Sequence, residues 1–432
     1  MSTRHKTTFG RHFLTQTINW GVFRRLSVLL SGTMISRIFA ASSFILMARA
    51  IGPAALGQFA STLTIVRLSS LLFTLGMDHW LLRNGGHSHH PLSESTTSIL
   101  VLKVVLGIPW FFLLSLLMPA VNPKLFAPEV IHLVALVVWG EEIINTIITG
   151  FQTDANVRLA AIVTVLPQGL ILAGTALVAV VSSSLTTQLT MRATIMIVYA
   201  LLVVALWGGT YGFKLAPTQM ITLPRAASPF AVSSFLVILY GTADIVLVGQ
   251  LLGSEAAGLY SPASMLIGLF FLVPTAYFTV MVPVLSREYA RDSADLTRHN
   301  SNYICASILL GGLLATGMVV ISPWFVSLAY GSAYFNTIEL LPVLSAVVWL
   351  HTIAFSLAAI LTSLNLQRQR LIPQAAAAML NISLNLLLLP RFGLIAVAWS
   401  YVASELVLVG GYWIIYHKAS EQFGDKKRAV AQ

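Results

Sequence analysis

A few ionisable side chains stand inside long apolar runs, and their chemistry needs explaining first. Arg37 and Arg67 lie near the middle of the first two runs. An arginine at the centre of a bilayer-spanning helix costs about 2.5–3.5 kcal/mol on insertion scales. Two neighbouring antiparallel runs place both guanidinium groups at similar depth, and packing requires neither. A water-filled cavity that receives an anion does. A guanidinium suits a phosphate because its planar fork donates two parallel hydrogen bonds. The competing reading is that each arginine pairs with an acid, for which Glu141 and Glu142 stand mid-run in the fourth span. Glu141, Glu142, Asp244 and Glu405 are also candidates for proton or sodium coupling, because a carboxylate in low dielectric readily takes a proton. The rival for each acid is a buried ion pair or a protonated, hydrogen-bonded carboxyl. Lys103 sits near enough to the end of its run to snorkel, and Asp78 is expected to pair with Arg83.

The elements that must position these groups follow from composition. Of 432 residues 57% are hydrophobic, and only 9% are Asp, Glu, Lys or Arg. A soluble domain carries about 25% charged residues. So little charge cannot cover a water-facing surface of this size, which leaves lipid as the solvent. A span needs about 20 mostly apolar residues. Such runs fall at 26–48, 55–82, 97–120, 130–152, 159–182, 192–213, 229–251, 257–285, 301–326, 338–362, 371–389 and 394–416. These twelve runs predict an all-α polytopic membrane protein with about 12 transmembrane helices.

With the N-terminus inside, the inside segments collect most of the 25 Lys and Arg. The outside loops hold only Arg49, Lys124, Arg192 and Arg391. That bias fits the positive-inside rule. It also assigns the net charge of +10 to anionic lipid and the insertion machinery rather than to nucleic acid. Residues 1–25 and 417–432 are read as basic cytoplasmic tails.

Enzyme signatures are missing. The chain has no HExxH, Walker A loop, GxGxxG or CxxC. Cys305 is the one cysteine, so no disulfide forms within the chain and no Cys-based metal site exists. His87, His89 and His90 cluster in one inside loop, more readily a solvated loop than a metal site. We expect neither a metal nor a cofactor. Pro109, Pro167, Pro262, Pro274 and Pro342 fall within runs, where each can kink a helix.

The chain repeats itself at an offset of 201 residues. Gly52, Gly57 and Phe59 match Gly253, Gly258 and Tyr260, each set lying between the first and second spans of a six-span half. Glycine suits a tight turn where two helices reverse. Both halves then start on one side, which makes the repeat parallel, as in several transporter folds. The halves are 26–214 and 229–416, joined by a cytoplasmic linker at 215–228.

Particular residues carry a family resemblance. Gly32 through Arg37, Ala48 through Pro53 and Gly57-Gln58-Phe59 resemble the start of polysaccharide transporters, the Wzx-type flippases of the multidrug/oligosaccharidyl-lipid/polysaccharide (MOP) superfamily. Asp244, Gly249, Gly253, Gly258, Tyr260, Pro274, Pro283 and Ser286 repeat the likeness, as do Asn381, Asn385, Pro390-Arg391-Phe392-Gly393 and Glu405 near the end. The resemblance implies two six-helix lobes around a central cavity lined by spans one, two, seven and eight. That cavity would accept a polyprenyl-pyrophosphate-linked glycan from the cytoplasmic leaflet, with Arg37, Arg67 and Asp244 as substrate-binding residues and Glu141, Glu142 and Glu405 as ion-coupling candidates. Thr242 departs from the pattern, standing where relatives often carry a basic residue.

The leading functional reading is a flippase for an undecaprenyl-pyrophosphate-linked unit of O-antigen, capsule or exopolysaccharide in a bacterial inner membrane, both termini cytoplasmic. Membrane lipid and other polysaccharide-assembly proteins are its expected partners. A cation-coupled small-molecule exporter or a lipid II flippase is the alternative within the superfamily. Two mid-span arginines oppose an exporter of cationic drugs. A membrane glycan polymerase or ligase is the alternative of another class, and it lacks the large external loop that such enzymes carry.

Overall fold

The computed structural model describes residues 20–85, 91–291 and 296–430. Among the described residues every regular element is helical. In chain order these are α1 (Trp20–Thr74), α2 (Met77–Asn84), α3 (Leu92–Val121), α4 (Pro128–Thr153), α5 (Val157–Val181), α6 (Leu185–Tyr211) and α7 (Pro217–Leu252). Then come α8 (Ser254–Phe270), α9 (Leu272–Arg291), α10 (Leu296–Ala329), a 3-10 turn (Ser332–Tyr334), α11 (Phe335–Ile338), α12 (Leu341–Ser363), α13 (Leu371–Phe392) and α14 (Ile395–Val430). Ten helical segments among the described residues are long and apolar enough to cross a membrane. The protein is an all-α polytopic membrane protein.

Each of the twelve apolar runs falls on a helix, with shifts that have local causes. The 55 residues of α1 are two helices meeting at Gly52, whose φ of 77° and ψ of 174° are not helical. Pro53 follows, where a missing N–H costs nothing in the first turn of a helix. The second run ends at Thr74 rather than 82, because Leu75 and Gly76 both turn at positive φ before α2 restarts the helix. Span eight divides into α8 and α9 at Phe271, whose backbone stays right-handed helical, and Pro274 occupies the first turn of α9. Pro342 likewise starts α12 and makes no internal kink.

Several basic residues assigned to loops are helical. Arg49 precedes Gly52 within α1, and Arg391 lies in the last turn of α13, where a cation complements the helix C-terminus. α6 begins at Leu185, so Arg192 stands two turns inside it. Residues 217–228, most of the expected linker, form the first turns of α7. A charge in a terminal turn reads as a loop when hydropathy alone sets the boundary.

The chain packs as two units. Among the described residues, one comprises residues 20–46 with those of Ser70–Leu114 and His132–Val232; the other comprises Met47–Ser69, Ser115–Ile131 and those from Ser233 onward. Residues 47–69 and 115–131 of the first sequence half therefore pack with the second half. In unit one, Phe151, Trp207 and Tyr211 form an aromatic column, with centroids 5.3 Å apart for Phe151–Trp207 and 4.4 Å for Trp207–Tyr211. In unit two, α12 is the central helix, packed against α9, α10 and α14, and its Leu357, Ala359, Ile360 and Leu361 are fully buried.

Candidate functional site

The repeated glycines form a crossing inside unit two. Gly253 adopts φ 95° and ψ 170°, nearly the conformation of Gly52. Side-chain-bearing residues essentially never occupy this region. One turn further on, the two copies meet. A Cβ on Gly57 would lie 1.7 Å from the Ser254 carbonyl oxygen, and one on Gly258 would lie 1.8 Å from the Pro53 carbonyl oxygen. Pro53 and Ser254 are themselves 201 residues apart, so the crossing is close to two-fold symmetric. Around it, the Tyr334 hydroxyl donates to the Ala48 carbonyl at 2.8 Å and Arg49 donates to the Leu328 carbonyl at 3.2 Å. Asn122 donates to the Gln250 side chain at 3.0 Å. Each of these bonds joins the first sequence half to the second.

Unit one holds two cations among its helices, Lys103 buried and Arg192 half-buried. Lys103 is fully buried rather than snorkelling. Its Nζ lies 2.6 Å from Asp78 Oδ2, 2.8 Å from the Glu142 carbonyl and 3.2 Å from Glu142 Oε2. Thr146 donates to the other Asp78 oxygen at 2.8 Å. Asp78 therefore pairs with Lys103 and not with Arg83. On α2 Asp78 and Arg83 are five positions apart and face different sides, whereas helical partners are three or four apart. Arg83 instead lies 6.0 Å from the Phe230 ring centroid. The acid partner anticipated for an arginine, Glu142, is taken by this lysine. The second cation is Arg192, which donates to Ser43 Oγ at 2.6 Å and to Thr175 Oγ1 at 3.3 Å. Ser43 and Thr175 are themselves hydrogen-bonded at 3.0 Å. The charge of Glu141 also acts on Arg192.

Unit two holds buried acids. Asp244 is 4% exposed and accepts from Asn385 Nδ2 at 2.9 Å and from the Tyr260 hydroxyl at 3.3 Å. Asn385 also donates to Asn381 at 3.0 Å. Asn385 is thus a partner of the carboxylate, and Asn381 bonds Asn385 rather than Asp244. Glu405 is fully buried and lies 2.8 Å from His351 Nδ1. Sequence reading missed His351, Arg192 and the Lys103 cage. His351 had one visible signal, its place in the middle of the otherwise apolar α12.

Arg37 lies in unit one and Arg67 in unit two, and both are exposed on α1. Arg37 has no hydrogen-bond or ion-pair partner among the described residues. A guanidinium left open on a membrane helix can take a phosphate oxygen pair. His87, His89 and His90 lie outside the described residues. Among the described residues, no group of three or more His, Cys, Asp or Glu is placed to hold a metal ion.

Known structures share this architecture. The chain is similar to a structure described as the inward-facing conformation of a multidrug resistance MATE family transporter of the MOP superfamily, with TM-score 0.72 and 14% identity, over 92% of this chain and 98% of that one. It is similar to "Lipid II flippase MurJ, inward closed conformation", with TM-score 0.70 and 13% identity, over 90% of this chain and 87% of that one. A third similar structure is a MOP superfamily transporter from Pyrococcus furiosus, described as having a binding pocket of reverse polarity, with TM-score 0.64 and 13% identity, over 98% of this chain and 100% of that one. At these identities the likeness shows the fold. No curated protein matches in sequence. The family described as "Polysaccharide biosynthesis protein" matches residues 22–289, more than half of the chain, and the chain belongs to that family.

Proposed function

We propose that this protein is a non-enzymatic flippase. It moves an undecaprenyl-pyrophosphate-linked oligosaccharide from the cytoplasmic to the outer leaflet of a bacterial inner membrane by alternating access. The observation that carries this reading is Arg37, an exposed arginine without a described partner on a membrane-spanning helix of a polysaccharide biosynthesis family member. Its insertion cost is about 2.5–3.5 kcal/mol, and a pyrophosphate ligand offsets it. Arg67 is a second candidate for binding an anion. The distribution of basic residues supports cytoplasmic termini. The Gly57–Gly258 crossing then lies on the outer side, and release of the glycan requires its surrounding hydrogen bonds to part. Asp244 and Glu405 are the acids that remain for ion coupling. Glu142 is held by Lys103, and the charge of Glu141 acts on Arg192.

The test uses purified protein in proteoliposomes with undecaprenyl pyrophosphate bearing a short glycan. Arg37→Ala should cut the flipping rate at least tenfold while thermal unfolding is unchanged. Full activity in both Arg37→Ala and Arg67→Ala would remove the pyrophosphate site.

A further inference from the structure

The pair His351 and Glu405 lies mid-helix on α12 and α14, and nothing in the anion chemistry above uses it. The imidazole ring stacks on Phe271, with centroids 3.7 Å apart and planes at 11°, and a second ring, Phe355, lies 4.4 Å away. Phe271 stands between α8 and α9 and keeps right-handed helical backbone, three residues before Pro274, which has no N–H to continue the helix ladder. A titratable ring is therefore packed face to face on a stretch of span eight that a proline weakens. The Glu405 side chain is fully buried and the His351 side chain is 10% exposed, so the histidine is the more accessible member of the pair.

From this geometry we infer that His351 and Glu405 form a proton-binding site whose occupancy acts on the proline-weakened stretch of span eight at Phe271. A carboxylate at 2.8 Å accepts from Nδ1–H, which leaves Nε2 to take a proton from water. No bond other than N–H forms, and the product is an imidazolium held against Glu405. Histidine is the side chain that ordinarily changes charge between pH 5 and 8. A charged ring also interacts with the faces of Phe271 and Phe355 differently from a neutral one, because aromatic faces attract cations.

Other groups face the pair from each element packed on it. Tyr401 and Tyr412 on α14 both interact electrostatically with Glu405. Asp244 on α7 acts on Tyr401, and Tyr260 on α8 is coupled to both. Arg370 at the start of α13 lies 5.4 Å from the Tyr412 centroid. Tyr277 of α9 and Tyr303 of α10 stack at 4.9 Å. Tyrosines stay neutral in this pH range. Arg370 is held by its own partners, and Asp244 is a second acid of this network, whose contribution the variant Asp244→Asn separates from that of the pair.

The role of this site in transport rests on the flippase reading; proton binding itself does not. Full-length protein labelled with 15N-histidine is placed in nanodiscs and its imidazole resonances are followed from pH 5 to 8. The resonance lost in His351→Gln should titrate. In Glu405→Gln the pH response of that resonance should differ from the wild type, because the carboxylate facing the ring is gone. Amide exchange around Phe271, corrected for intrinsic rates, should differ between pH 5.5 and 7.5 in the wild type and not in His351→Gln. Should that variant fail to fold, His351→Asn supplies the assignment. A resonance flat across the range, or pH-dependent exchange retained without His351, would overturn the inference. A silent His351 in a protein that still flips glycolipid rejects the proton site alone. A titrating His351 in a protein that flips nothing rejects the flippase alone.

Discussion

Ser43 and Asp244 stand 201 residues apart, at equivalent positions of the repeat, yet their surroundings carry opposite charge. Around Ser43 the charge is a cation, the half-buried Arg192 guanidinium supplied by α6, with two hydroxyls as acceptors. Around Asp244 the buried charge is an anion on the equivalent residue itself, with an amide and a phenol as donors. The difference extends further. Unit one also buries Lys103 between two carboxylates, whereas unit two pairs its second acid with an imidazole. A buried charge costs several kcal/mol unless it is paired or hydrogen-bonded. Unit one meets that cost with permanent cations. Unit two meets it with neutral donors and a histidine, which leaves its acids open to exchange a proton. One repeat is thus electrostatically fixed and the other is free to respond.

The largest way to break this contrast is Lys103→Met. It removes one member of a buried pair and leaves Asp78 and Glu142 facing each other. Loss of one partner from such a pair costs about 3–5 kcal/mol. Thermal unfolding in detergent should show a large fall in Tm, partly recovered when Asp78→Asn is added. No change in Tm would mean that the lysine is not the fixed charge of unit one.

A smaller effect sharpens the comparison, because it tests where the repeats are alike. Gly52→Ala and Gly253→Ala each force a side chain into a backbone region costing about 1–3 kcal/mol. Their effects on Tm should be nearly equal. Unequal losses would show that the two turns are not mechanical equivalents.

The smallest effect is expected from Asp244→Asn. It keeps the volume and an acceptor for Asn385 while removing the charge, and stability should change by about 1 kcal/mol or less. Ion dependence of flipping should nevertheless be lost. An ion response retained in Asp244→Asn would move coupling to Glu405.

Much of the fold was legible because it depends on hydropathy over 20-residue windows, and each of the twelve runs falls on helix. The repeated turns were legible for a different reason. Glycine at Gly52 and Gly253 is a backbone requirement written as a residue type, and the offset of Gly57 and Gly258 carried it to the crossing. What the sequence hid was pairing. Lys103 looked able to reach the interface, because the run shows its distance from the helix end and not the two carboxylates that α2 and α4 bring to it. Asp78 looked close to Arg83, but five positions along a helix is the wrong face. Arg192 read as a loop residue because a charged side chain ends an apolar window, although Ser43 and Thr175 accept it inside the unit. Glu405 was visible as an isolated acid; its partner His351 lies 54 positions away on another helix.

The measurement that tests the central claim most directly is the leaflet distribution of lipid-linked oligosaccharide in cells lacking this protein. A flippase predicts that the glycolipid accumulates on the cytoplasmic leaflet while surface polymer disappears, with recovery by the wild-type gene and not by Arg37→Ala. Normal surface polymer with no accumulated intermediate, in cells shown to lack a second transporter of this family, would contradict it.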